Sequence, residues 1–159
     1  MEQDLTLFLQ LYRLQVDYWY EVDRNYGRDA PGFYVPDGLF VVGSQRMSGR
    51  AEIAAFYRWR EQRGDRTARH VVSNCRLKSW AADEAEFECV MMLYADDGVP
   101  VLPSQPPVMI ADIVDRCVRE EGVWRFRSHI LTPVFQGGVQ PTIPTRLDIL
   151  AHASEPAAQ

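Results

Sequence analysis

Apolar residues recur along residues 5–25 with helical spacing. Leu5, Phe8, Leu9, Tyr12, Val16, Trp19 and Tyr20 fall on one side of a 3.6-residue repeat, which predicts a helix with one buried stripe. Asp4 suits its first turn or cap. The next member of the stripe is Asp23. A carboxylate there meets the negative end of the helix dipole and loses solvation, so it needs a donor or a chemical task. A solvated Asp bonded to Arg24 or Arg28 is the plainer alternative. Asp17 lies off the stripe. Gly27 stops the helix, and Asp29-Ala30-Pro31-Gly32 opens a short turn carrying Phe33 and Tyr34. A strand over 37–42, a turn over 43–46, a short strand at Met47 and a cap at Ser48 or Gly49 follow. The next helix, over 50–63, puts Ile53, Phe56, Tyr57 and Arg60 on one face and ends at Gly64.

After residue 66 the period drops to 2. Runs over 68–80, 85–95, 108–120 and 123–135 alternate apolar and polar residues, with tight turns at Ala82-Asp83 and Glu121-Gly122 and a proline-rich loop over 98–107. Helices first and an antiparallel meander afterwards predict an α+β domain with its helices on one sheet face. On the first long strand Ala68, His70, Val72 and Asn74 share a face. His70 and Asn74 lie about 13 Å apart, too far to bond each other but placed to line two ends of one pocket. His70 serves equally as a core histidine bonded to a backbone carbonyl. Residues 147–152 predict a short helix able to dock on the body or on another subunit, and the tail from Ser154 is expected to be disordered.

At 159 residues the chain fits one domain with a real core. A net charge of -5 without a Lys/Arg stripe argues against nucleic acid or an anionic membrane as partner. Cys75, Cys89 and Cys117 form no CxxC pair and sit in strand-like runs, the pattern of free thiols in a reducing cytoplasm. The acidic start and the lack of a long apolar run predict neither a signal peptide nor a membrane span. His70, His129 and His152 have no metal-ligand spacing, and no GxSxG is present, so neither a metal nor a serine nucleophile is expected. Asp112, Val114 and Arg116 alternate as in an ion-pair ladder, while a pairing of His70 with Asp112 or Asp115 stays open.

Taken in order, the long first helix, the short strand, Gly49-Arg50-Ala51-Glu52-Ile53 at the start of the second helix, Arg69-His70-Val71-Val72-Ser73-Asn74 and the closing Gly122-Val123-Trp124-Arg125-Phe126 resemble the SnoaL-like branch of the nuclear transport factor 2-like superfamily. The resemblance spans about residues 5–135, which divides the chain into a domain over 1–136 and a C-terminal extension over 137–159. It implies a cone-shaped α+β barrel, helices packed on a curved antiparallel sheet around a deep pocket. The family includes scytalone dehydratase, a dehydrochlorinase, a bile-acid dehydratase, polyketide cyclases and the small subunits of ring-hydroxylating dioxygenases.

In the cofactor-free eliminating members an Asp near the end of the first helix orients a His on the first long strand, and that His removes the substrate proton. Asp23 and His70 match those positions. Tyr18 resembles the pocket tyrosine of the bile-acid dehydratase type. His129 falls near the arginine that holds the departing group in the eliminating enzymes, a departure from the family pattern. The implied function is a cofactor-free lyase or isomerase acting on a small hydrophobic, cyclic metabolite. Asp23 and His70 are its catalytic pair, and Tyr18, Asn74, His129, Tyr34, Phe56 and Trp124 its substrate-binding groups. Imidazole suits the role, because its ordinary pKa of about 6.5 lies near working pH. Two alternatives stand beside it: a non-catalytic small subunit bound to an oxygenase large subunit, and a pocket that binds its ligand unchanged. A homodimer or homotrimer is the expected assembly, with apolar residues such as Val90, Met92 and Val114 on an exposed sheet face.

Overall fold

The structure is a computed structural model and describes residues 2–137 and 143–153; the expectation for the tail from Ser154 lies outside them. Helix α1 spans Glu2–Asn25 and is followed by a 3-10 turn over Ala30–Phe33. Strands β1 (Tyr34–Val42) and β2 (Gln45–Ser48) form a hairpin leading into α2 (Gly49–Glu61). Four long strands follow, β3 (Arg66–Trp80), β4 (Glu84–Asp97), β5 (Met109–Glu120) and β6 (Val123–Gln136), and then α3 (Arg146–Ala153). The helices and the long strands lie where the two periodicities place them.

The six strands form one curved, unclosed sheet in the order β2-β1-β6-β5-β4-β3, and with the helices they make a cone-shaped α+β fold. The sheet is mixed and not antiparallel throughout, because β1 runs parallel to β6. Nothing local to either strand announces that pairing, since the two are joined only through the rest of the sheet. β1 also begins at Tyr34 instead of Asp37, and its register against β6 shifts between Tyr34 and Leu39. Pro36, which has no N–H to give a ladder, and Gly38 lie inside that irregular stretch.

Helix α1 is rotated from the expected stripe. Leu11, Leu14, Gln15, Tyr18 and Trp19 are buried, while Leu5, Leu9, Tyr12, Val16 and Tyr20 face outward. The helix carries apolar residues on two adjoining stripes, and the one holding Tyr18 and Gln15 packs inward. Trp19 belongs to both stripes, and Asp23, one turn further, therefore still faces inward with a side chain only 7% exposed. Val90, Met92 and Val114 sit half-buried on strand positions whose alternate neighbours, Cys89, Met91, Ile113 and Asp115, point into the core.

The inner face of the sheet is built in lateral rows. One row runs Phe40, His129, Asp115, Phe87, Leu77 across β1, β6, β5, β4 and β3, and all but the half-buried Leu77 are buried. Another aligns His70 with Leu93 and Met109 across β3, β4 and β5. The C-terminal α3 packs on α2 with Ile149 fully buried, Arg146 paired to both carboxylate oxygens of Glu52 at 2.6 and 2.7 Å, and Arg58 donating to the His152 carbonyl.

Gly27, just past α1, has a φ of +70° and is buried; a Cβ added there would lie 2.6 Å from Cγ of Tyr57. Gly27→Ala is expected to cost about 1–2 kcal/mol from the left-handed backbone alone. Displacement of Tyr57 adds to that loss, and denaturant unfolding measures the sum.

Candidate active site

His70 is held from two directions by one carboxylate. Its Nδ1 lies 2.6 Å from Oδ1 of Asp23, and its backbone N–H donates to Oδ2 of the same residue at 2.8 Å. The two oxygens fix both the strand and the ring, and the ring has little freedom to turn. An Nδ1–H donated to the carboxylate leaves Nε2 with its lone pair, the tautomer of a base. Trp19 supports the ring from one side, stacked on it with centroids 4.1 Å apart and planes 10° from parallel. An indole face in that position favours an imidazolium through its quadrupole.

The pair opens on a cavity of about 120 Å³. Most of its wall is apolar: Trp19, Val22, Phe40, Val42, Phe56, Leu93, Met109, Leu131 and Ile143. Asp23, His70, Tyr26, Tyr57, Arg60 and Arg66 supply the polar groups. Ile143, three residues before α3, brings the C-terminal extension into this wall. Tyr57 ends a chain of hydroxyls in which Tyr34 donates to Tyr18 at 2.9 Å and the Tyr18 and Tyr57 oxygens lie 2.5 Å apart. Burial pushes all three phenols well above their ordinary range, so they act as donors and not as bases.

A second His/Asp pair lies beneath the cavity. His129 Nδ1 is 2.6 Å from Oδ1 of Asp115, directly across β5 and β6, and both side chains are fully buried. The Gln15 amide donates to the other Asp115 oxygen and accepts from the Trp19 indole N–H at 3.0 Å. Burial pushes the Asp115 carboxyl up, opposed by His129 and by the bond from Gln15. His129 Nε2 has no hydrogen-bond partner among the described residues and is enclosed by the rings of Tyr18, Trp19, Phe40 and Phe126. Asp115 thus pairs with His129, leaving His70 to Asp23.

The expected site residues divide accordingly. Asp23, His70 and Phe56 line the cavity; Tyr18 and Tyr34 stand behind its wall and reach it through Tyr57. His129 lies one inward position deeper than Leu131, behind Phe40 and Trp19. Trp124 is outside the lining, its indole donating to Gln10 on α1. Asn74 does not share the face of His70. It occupies a bulge at φ +51°, where the β3–β4 register shifts, and is exposed, while Cys75 and Leu77 take over the inward positions. Alternation cannot carry a face across such an inserted residue. Sequence reasoning also passed over Gln15, Arg66 and the Asp115/His129 pair. Gln15 and Asp115 sit at inward positions of their elements, and that was the available signal.

Burial raises the thiols of Cys75, Cys89 and Cys117, with no nucleophile formed. Among the described residues no cluster of His, Cys, Asp and Glu gathers to hold a metal ion, and no helix is long and apolar enough to cross a membrane.

Solved structures share this architecture at low sequence identity. A provisionally assigned scytalone dehydratase from Novosphingobium aromaticivorans aligns with a TM-score of 0.70 at 17% identity, over 89% of this chain and 93% of its own. ActVI-ORFA from Streptomyces coelicolor aligns at 0.70 and 15% identity, over 81% and 98%. A provisionally assigned aromatic ring hydroxylase from Novosphingobium aromaticivorans aligns at 0.67 and 15%, over 80% and 89%. None of the curated proteins matches the chain significantly in sequence. The SnoaL-like domain model matches residues 3–129, most of the chain, and the protein belongs to that family.

Proposed function

We propose that this protein is a cofactor-free lyase or isomerase that removes a proton from carbon on a compact cyclic substrate. The observation that carries the reading is the Asp23/His70 pair opening on an enclosed, mostly apolar cavity. His70 Nε2 takes the proton. The C–H electron pair becomes the new double bond, either as a C–O bond breaks and hydroxide departs to be protonated to water, or as charge moves onto a carbonyl oxygen. Asp23 stabilises the imidazolium, and Trp19 adds its face. Tyr57 is the group to donate to the developing oxygen charge: when Tyr18 donates to Tyr57, the Tyr57 proton is left for the cavity. The low dielectric of the apolar wall strengthens each of these contacts. The scytalone dehydratase assignment of one structural neighbour agrees with this chemistry.

The test is incubation of the protein in D2O with a panel of cyclic β-hydroxy ketones and related keto compounds, followed by NMR. Deuterium at the carbon next to the carbonyl, or a new conjugated double bond, is the expected result. A panel that shows neither with the wild-type protein, at rates above buffer, removes the proton-abstraction reading.

A further inference from the structure

The cavity wall holds two guanidinium groups that proton abstraction by His70 does not need. Arg60 projects from α2, one turn after Phe56, and Arg66 opens β3 two alternate positions before His70, so both stand on the cavity side of their elements. Their side chains are only 18% and 9% exposed. The carboxylate between them is Asp97, which is 78% exposed, lies 3.2 Å from Arg66 and comes no nearer than 4.0 Å to Arg60. Among the described residues Arg60 makes no side-chain hydrogen bond. Burial, with Arg66 beside it, lowers the Arg60 guanidinium to about 10. Arg63 adds repulsion, and Asp97 and Tyr26 offset only part of it. A charged group kept at that cost in a mostly apolar wall fits a ligand that brings the opposite charge.

We propose that the cavity takes a compact one- or two-ring carboxylic acid, its carboxylate held by Arg60 and Arg66 and its ring extending along β3 to His70. Arg66 and His70 are four residues apart on one strand face, about 13 Å between Cα atoms, a span that two side chains and a small ring system fill. The cavity holds far more than the roughly 15 Å³ that one water needs, and its aromatic wall suits a flat ring. A planar guanidinium grips a carboxylate with two parallel hydrogen bonds, which orients the ring as well as binding it. The proposal rests on the cavity being the substrate site, and it sharpens the substrate class from cyclic to cyclic and acidic.

The experiment is calorimetric titration of the full chain at pH 8 with 2-naphthoate, cinnamate and phenylacetate, each against its neutral alcohol. At least one acid is expected to bind ten-fold or more tightly than its alcohol. Arg60→Gln, checked for folding by circular dichroism, is expected to erase that ratio, with the loss falling chiefly on acid binding. Arg60→Lys keeps the charge without the fork and is expected to retain part of the ratio. His70→Ala is expected to keep acid-selective binding, so loss of the proton-abstraction chemistry and loss of this proposal are read separately. Equal binding of acids and alcohols, acid selectivity that survives Arg60→Gln, or no acid binding across the panel overturns it.

Discussion

Asp23→Asn and His70→Ala each lower the rate of proton removal by about 100- to 10,000-fold, the usual contribution of a positioned general base, and both proteins stay folded. The two substitutions fail for different reasons. His70→Ala deletes the base and leaves a gap beside Trp19 at the cavity edge. Asp23→Asn keeps the shape but offers one oxygen and one NH2 where the protein uses two acceptors, one for the His70 ring and one for its backbone N–H. If the oxygen keeps the backbone bond, the NH2 faces Nδ1 and draws its lone pair. The proton then moves to Nε2, the tautomer that cannot accept one. If the amide turns the other way, the NH2 opposes the backbone N–H and the strand contact is lost. Rates measured on whichever substrate the D2O panel identifies, with thermal unfolding of both variants alongside, check the prediction. Full activity in either variant takes the pair out of the mechanism.

The inward placement of each member was legible from local periodicity, while their pairing with each other was implied by the family resemblance alone. Asp23 follows Trp19 by one helical turn, and His70 alternates with Ala68 and Val72 on a regular stretch of strand. Rotation of α1 about its axis did not move Asp23 out of the core, since Trp19 is shared by both apolar stripes. Features that depend on registers between strands were not legible. The turn at Glu121-Gly122 pairs Glu120 with Val123, and a regular ladder from there would set Asp115 opposite Ser128. The irregularity beside Arg116 and Cys117 adds one residue on β6 and brings His129 opposite Asp115 instead. A one-residue slip exchanges the two faces of a strand, so the buried pair is a product of that bulge. Asn74 is the converse case, in which a bulge on β3 carries an expected pocket residue to the surface.

The layout also explains why a fold with two His/Asp pairs has one candidate base. Both imidazoles lie against Trp19, and in both Nδ1 faces a carboxylate. The difference is what Nε2 meets. At His70 it belongs to a residue of the cavity wall; at His129 it is sealed among aromatic rings, where no substrate atom reaches. The lower pair acts on the upper one through Gln15, which bonds both Asp115 and the Trp19 indole, and so fixes the ring on which His70 stacks.

The largest loss of stability is expected at that lower pair. Asp115→Ala removes the partner of His129 and of the Gln15 amide at one stroke, where both members of the His/Asp pair are fully buried, and costs about 3–5 kcal/mol. Out of a typical total of about 5–15 kcal/mol, that is enough to leave the protein marginal. Asp115→Val combined with His129→Phe costs less than the sum of the single changes, because only the Gln15 donor is then left unpaired, at about 1–3 kcal/mol. His129→Phe alone has a pH signature whose sign follows from Asp115. Burial already raises the folded carboxyl above its ordinary value of about 3.9, and His129 opposes that rise. Without His129 the folded value climbs further. A group bound more tightly to its proton when folded stabilises the fold below its unfolded pKa and loses that contribution as pH rises through the folded one. The variant should therefore be most stable near pH 4 and weaken toward pH 7, relative to wild type measured in the same buffers. Urea unfolding across that range decides it: a stability difference from wild type that does not change with pH would mean that Asp115 does not depend on His129 for its charge.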